Sequence, residues 1–442
     1  MLLKYILPIA LLLMSLSSCS KDDEDEGPAV ILPYETAFTT GLPVMVINTP
    51  DSCAIESKEV WVKNATVALY APDGALLFHA STSIRGRGNV TWRRYPKKSY
   101  SLKLDRKASL ADMKPAKRWV LLANWADRTL LRNDVSFEVA RKTSMEWTPR
   151  GTHVELILNG VFIGNYYLCE KIQVHSNRLN ITEMVGSDED AVGITGGYLM
   201  EIDSYYDEEN KFRSKVFDLP WQFRSPDEET LTPKMFDYMQ QYVNDTERLL
   251  ADDHALAVGS YRDKLDIQSF VDWWIINELC HNKEVGKPKS VYMYKERQQP
   301  LKAGPVWDFD YSTFTLRDNI FVAEHFPYLK RLFLSPDFRR MACERWYALK
   351  PAFDTIPDYI DRQARQLTLS QEQNIRMWPI SSKGNSDEQL PYDEAISRMK
   401  QAFRLRLQVM DDFIEKIYEE DHQDDVEIRI TYRKKRLGRR KI

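Results

Sequence analysis

The chain has 442 residues, 43% of them hydrophobic and 12% aromatic, and a formal net charge of −4. That is enough apolar side chain to fill one large core or two ordinary ones, which excludes a chain that stays unfolded throughout. The lack of an overall basic bias excludes nucleic acid as the expected main partner.

The N-terminus carries Lys4, then an apolar run over residues 6–14, and ends in Leu16-Ser17-Ser18-Cys19. The run is too short to cross a bilayer and predicts a cleaved signal peptide at residues 1–18. Its ending resembles the lipobox of bacterial lipoproteins, which implies lipidation of Cys19 and attachment to the membrane through that lipid. Residues 19–40 read as an acidic tether because of Asp22-Asp23-Glu24-Asp25-Glu26, a run of like charge that stays solvated. An acidic stretch directly after such a Cys also resembles the signal that sends some lipoproteins of Gram-negative bacteria to the outer face of the outer membrane. The expected location is therefore the cell envelope, lipid-anchored and surface-exposed on the outer membrane, with a plain spacer as the other reading of the acidic run.

From residue 41 to about 225 the signals favour strands. Val44-Met45-Val46-Ile47 is a compact apolar run, Thr66-Val67-Ala68-Leu69-Tyr70 precedes the turn Ala71-Pro72-Asp73-Gly74, and Tyr100, Leu102 and Leu104 alternate with polar neighbours. Trp119-Val120-Leu121-Leu122 predicts another strand, and residues 130–142 a helix with Leu131, Val135 and Val139 on one stripe. Residues 153–168 predict a hairpin, because Asn159-Gly160 accepts the positive φ values of a two-residue turn between β-rich arms. A further strand is expected at residues 197–202.

Residues 226–420 change to a helical pattern. Thr232 is a good N-cap with Pro233 at the first helical position, and Asp266 caps an apolar helix over residues 270–279. Ile396, Met399, Phe403, Leu407, Met410, Ile414 and Ile417 recur at three and four, which predicts a long amphipathic helix. Residues 370–392 read as a surface loop, residues 290–295 as one strand among the helices, and residues 421–442 as a basic, solvated C-terminal tail that could touch anionic headgroups. Strands first and helices later favour an α+β fold over a doubly wound sheet. Cys53, Cys169, Cys280 and Cys343 show no C-x-x-C spacing, which argues against a thiol zinc site; disulfides and free buried thiols both stay open.

The chemistry-bearing stretch is Val306-Trp307-Asp308-Phe309-Asp310. In an extended backbone residues i and i+2 share a side, so both carboxylates could reach one cation while Phe309 turns into the core; one structural Asp and one solvated Asp is the plainer alternative. Upstream, Arg85-Gly86-Arg87-Gly88 lets the backbone approach an anion between two guanidinium groups, and Lys97 and Lys98 enter a strand soon after. Cations followed by paired acids suit phosphoryl transfer, which needs positive charge over the phosphates and carboxylates to hold a metal. P-loop, zincin, nucleophile-elbow and ordinary protein-kinase motifs are absent.

Together, Ile84-Arg85-Gly86-Arg87-Gly88-Asn89-Val90-Thr91-Trp92 with Pro96-Lys97-Lys98, Trp119 to Asp127 with Leu131-Arg132-Asn133, Leu158 to Tyr166, and Gly304-Pro305-Val306-Trp307-Asp308-Phe309-Asp310 resemble the spore coat protein H (CotH) kinase family. The resemblance implies a domain over residues 41–420 with an atypical protein-kinase-like fold, its strand-rich N-terminal part at 41–225 and its helical C-terminal part at 226–420. It further implies ATP and Mg²⁺ (or Mn²⁺) as cofactors and phosphorylation of Ser on an exported protein substrate. Carried over by position, Asp308 and Asp310 would hold the metal, and Lys98 or Lys97 would face the phosphates with Glu170 as the partner of that Lys. Arg85, Arg87 and Trp307 would flank the nucleotide. Where many members have N-x-D with the Asp as base, this chain has Asn282-Lys283-Glu284, so Glu284 takes that place with one extra methylene. That departure keeps a second reading open, a non-catalytic surface binding protein or adhesin (pseudokinase) on the same fold.

Overall fold

A computed structural model describes residues 28–421. Residues 1–18, Cys19, the acidic run that follows and the basic tail from residue 422 on lie outside the described residues.

The first half builds a closed barrel. Its strands are β1 (Val44–Asn48), β2 (Val62–Tyr70), β3 (Leu76–Arg87), β4 (Ser99–Ala108), β5 (Ala116–Leu122), β6 (Gly151–Leu158) and β7 (Val161–Glu170), with the short helix α1 (Val90–Arg94) before β4 and α2 (Arg132–Arg141) before β6. The order is β1-β2-β3-β4-β5-β7-β6, and a parallel pairing of β1 with β6 closes it, Val44 opposite Glu155. Closure leaves no free sheet edge. The hairpin turn forms as its sequence demands, with φ of 51° at Asn159 and 77° at Gly160. The inward residues Val44, Val67, Leu102, Leu121 and Leu156 fill the barrel as a core of their own. Residues expected in the tether take part: Leu32 and Ala37 pack into that core, and the Ala29 N–H donates to the Met377 carbonyl at 2.8 Å.

The second half surrounds a five-stranded sheet, β12-β11-β8-β10-β9. The chain supplies β8 (Tyr198–Ile202), β9 (Lys211–Arg213) and β10 (Pro220–Ser225), then α3 (Pro233–Ala251), α4 (Asp253–Ala257) and α5 (Ile267–Leu279), and returns for β11 (Val291–Lys295) and β12 (Lys302–Ala303). Both predicted caps are made: the Thr232 hydroxyl accepts from the Met235 N–H at 3.3 Å and Asp266 from the Ser269 N–H at 2.9 Å, each contributing about 1 kcal/mol. The remaining helices are α6 (Val322–His325), α7 (Pro327–Leu332), α8 (Pro336–Phe353), α9 (Ile356–Gln366), α10 (Thr368–Met377) and α11 (Tyr392–Asp421). The expected loop over residues 370–392 is therefore half wrong. Its first part is α10, with Asn374 and Met377 buried against the barrel; only the stretch from Trp378 to Pro391, holding Pro379, Gly384 and Pro391, is loop.

The chain thus combines helices with a barrel-like sheet and a second sheet, an α+β architecture. Sheet, α2 and most of the helices share a second hydrophobic core, and α5 ties it together. Its Glu278 is fully buried, ion-paired with Arg406 of α11 at 2.8 Å, and accepts from the N–H groups of Phe321, Val322 and Ala323. No helix among the described residues is long and apolar enough to cross a membrane. Cys169, Cys280 and Cys343 are buried free thiols, and Cys53 is an exposed one.

Candidate active site

Between the barrel and the second sheet lies a cavity of about 810 Å³. Its floor is the segment around Asp308, which is not a strand. Asp308 has φ of 69°, so the period-two argument does not apply, yet both Asp308 and Asp310 line the cavity. Tertiary anchors produce that outcome. Phe309 is fully buried against Phe137 of α2, and its N–H donates to the Asn133 side chain at 2.8 Å. Asn133 in turn donates to Asn124 at 3.1 Å. The Asp310 carbonyl accepts from Asn385 at 2.9 Å, and the same Asn385 amide donates to the Ala126 carbonyl at 3.0 Å. With Phe309 pinned in the core, the flanking carboxylates are held out toward the cavity.

The electrostatics of this pair are unfavourable as they stand. Burial, then the neighbouring Glu284 carboxylate, pushes Asp308 up to about 6, against the opposing pull of Arg87 and Lys289. Asp310 is raised well above the usual carboxylate range by burial and by the charges of Asp308, Glu284 and Asp127. No cationic side chain is among the main influences on Asp310 from the described residues. Two buried hard oxygen donors whose negative charges raise one another suit a divalent cation. Among the described residues no group of three or more His, Cys, Asp or Glu converges as a metal site. Two carboxylates as the donor set fit Mg²⁺, which takes one or two carboxylates and completes its shell with water and phosphate oxygens.

The opposite wall is basic. Arg85 and Arg87 sit at the end of β3 rather than in a turn, so they share one side of the strand. Gly86 between them lies against Trp92, where an added Cβ would come within 2.3 Å of the ring. The Arg87 guanidinium lies 5.0 Å from the Trp307 ring centre, and Arg85 lies 4.6 Å from that of Trp61 while donating to the Glu59 carbonyl at 3.2 Å. The Arg85 Nε is buried without a partner.

The two lysines expected at the phosphates are elsewhere. Lys97 is fully buried beneath α10, donating to the carbonyls of Ala123 and Asn165 and to Asn374 Oδ1; burial draws its pKa down to about 7. It is a strut between barrel and helix. Lys98 points back to the Trp92 carbonyl at 2.9 Å and the Trp92 ring. Glu170 holds neither: it pairs with Arg178 at 2.9 Å and accepts from the Arg150 N–H at 3.1 Å. Neither Lys97, Lys98 nor Glu170 lines the cavity. The reason is alternation at the end of β7, where Glu170 turns away and the next residue, Lys171, turns in. Burial, followed by the positive charges of Arg118, Arg224, Arg87 and Arg85, holds Lys171 well below the ordinary lysine range. Sequence reasoning passed over Lys171 although a charged pair at the end of an apolar strand must put one member on each side.

The second sheet adds Glu201, Asp203 and Arg224, which the sequence reading also missed. A carboxylate within the apolar run Tyr198 to Ile202 was the available signal. Arg224 lies 3.5 Å from Glu201 and also pairs with Glu208. Asp203 accepts from the N–H groups of Tyr205 at 2.7 Å and Ser290 at 3.1 Å, and burial with nearby Glu201 raises it to about 7. Glu284 lines the cavity from the turn Lys283–Gly286, where Asn282 caps the Glu284 N–H at 3.1 Å. Its carboxylate is ion-paired with Lys289 at 2.5 Å.

A cavity with cations on a barrel wall facing buried carboxylates on the other side suits a polyanion together with a divalent metal. Residues 84–416 match the family described as CotH kinase protein, and the chain belongs to that family. Membership suggests a kinase-like function, and such kinases in general imply ATP and a divalent metal. No curated protein sequence matches the chain.

Proposed function

We propose that the protein is an envelope-anchored atypical kinase that transfers the γ-phosphate of ATP to Ser of exported proteins, using Mg²⁺ or Mn²⁺. The observation that supports it is that one cavity brings Lys171, Arg85 and Arg87 opposite Asp308 and Asp310. Asp308 and Asp310 would hold the metal, which when bound neutralises phosphate charge during transfer. Lys171, with Arg85 and Arg87, balances the negative charge of the phosphates, and Trp307 with Arg87 forms a flat wall beside them. Residues able to take the Ser hydroxyl proton are Glu284, tied to Lys289, and Asp203, whose raised pKa near neutrality suits a general base. The lipobox-like end at Cys19 and the acidic run after it support attachment to the outer membrane by lipid, facing exported substrates.

A second reading rests on the Lys289–Glu284 pair. The Lys289 ammonium occupies the carboxylate that would have to meet the Ser hydroxyl, as expected of a pseudokinase that binds its ligand without turnover. Purified protein incubated with labelled ATP and Mg²⁺ or Mn²⁺ separates the two. A kinase transfers label in a reaction lost in Asp308→Ala; Glu284→Gln and Asp203→Asn report which carboxylate acts as base, the true base losing transfer while keeping nucleotide binding. Nucleotide binding without transfer under any metal supports the pseudokinase, and absence of nucleotide binding by thermal shift ends both readings.

A further inference from the structure

Beside the main cavity lies a second one of about 310 Å³, lined by Lys283, Arg317 and Arg398 with Asp318 as its only acidic side chain. Among the described residues, none of the three cations is ion-paired or hydrogen-bonded through its side chain to another group. Their field is felt nearby: after burial, the charges of Arg406, Lys283 and Arg317 push His281 down to about 3. Burial and Arg317 also lower Lys283.

The wall between the two cavities is thin in sequence and built from the same residues. Lys283 lines the basic cavity while its neighbour Glu284 lines the main one. The Lys283 N–H donates to the Ser312 carbonyl at 3.4 Å, next to Tyr311 of the main cavity. On the facing loop Ser381 and Ser382 line the main cavity and Asn385 and Ser386 the basic one, with Gly384 between them lying directly on the Tyr311 ring. A peptide with its hydroxyl near Glu284 therefore has its flanking residues within reach of three cations that have no partner among the described residues.

We propose that this basic cavity is a substrate subsite that recognises acidic side chains, Asp, Glu or phosphoserine, flanking the accepting Ser of the protein substrate. The inference deepens the kinase reading and rests on it. Charge complementarity of this kind sets specificity and association rate, and it weakens with salt. It selects Ser in acidic segments over Ser in basic ones.

The test is binding of fluorescent peptides to the full chain, measured by anisotropy without nucleotide. The peptides carry one Ser flanked by Glu, by phosphoserine or by Lys. The acidic peptides bind at least about tenfold more tightly than the Lys peptide, with affinity falling as NaCl is raised. Arg317→Glu, at an exposed position, and Arg317→Ser/Arg398→Ser each weaken acidic-peptide binding about tenfold and leave the ATP-induced thermal shift unchanged. Equal binding of acidic and Lys peptides, or acidic-peptide binding indifferent to both variants, overturns the subsite. Loss of the ATP shift in the unmodified chain would instead strike the kinase reading, so the two failures are distinguishable.

Discussion

Replacing Lys171 by Met should move stability and ligand binding in opposite directions. Lys171 faces the cavity with Arg85, Arg87, Arg118 and Arg224 as its dominant charged neighbours, and no carboxylate is among them. At about 10 Å and an effective dielectric near 20, each like charge costs roughly 1.7 kcal/mol. Screening over a Debye length of about 8 Å leaves about 0.5 kcal/mol each, or about 2 kcal/mol for four. Lys171→Met keeps the aliphatic stem and removes both the cost of burying the ammonium and that repulsion, so the ligand-free protein should gain about 2 kcal/mol or more in urea unfolding. The same cation, facing a phosphate, is worth about 2 kcal/mol as a charged hydrogen bond, so nucleotide affinity should fall about thirtyfold by calorimetry. Lys171→Arg should keep most of the binding. If Lys171→Met lowers ligand-free stability and leaves affinity intact, Lys171 is a structural residue and the phosphate site must be sought elsewhere.

Two further expectations concern the frame that holds the site. Arg406→Leu leaves Glu278 charged in the core and strips donors from the carbonyls of Glu278 at 2.9 Å and Asn319 at 2.7 Å; it should cost about 3–5 kcal/mol, read by urea unfolding, and a loss under about 1 kcal/mol would reduce the pair to a surface-like contact. His281 is fully buried with its Nδ1 on Thr315 and a folded pKa of about 3. Because that value lies below the unfolded one, the unfolded chain binds the extra proton, and stability is lost as pH falls below about 6.5 toward 3, by about 2 kcal/mol at pH 5. His281→Asn, whose side chain tolerates the φ of 47° at this position, should remove that share of the acid sensitivity; equal losses in parent and variant between pH 7.5 and 5 would show that His281 is not its source.

Much of the scaffold was legible because local chemistry decides it. Asn159-Gly160 turns a hairpin, Thr232 and Asp266 start helices, and the three-and-four stripe from Ile396 to Ile417 makes α11, each from interactions within a few residues. Residues 370–377 were misread because α10 has a weak apolar pattern and is recruited by burial of Asn374 and Met377 on the barrel, a tertiary effect that outweighs local propensity.

The site divides along the same line. The sequence alone marked Asp308 and Asp310, since they flank an apolar Phe309 that has to be buried, and it marked Arg85 and Arg87 and pointed to the family, while the strand that carries the two arginines was read as a turn. Only the tertiary structure decided which of three strand-end lysines faces the cavity. Lys97, Lys98 and Lys171 all stand at strand ends, and their direction depends on register and on what the barrel packs against: α10 buries Lys97, Trp92 holds Lys98, and alternation past Glu170 turns Lys171 inward. Charge partners are likewise long-range facts. Lys289 on Glu284 and the pairing of Arg224 with Glu201 come from strands and turns that meet only in the folded chain, and electrostatics at close range depends on distance in space rather than along the sequence.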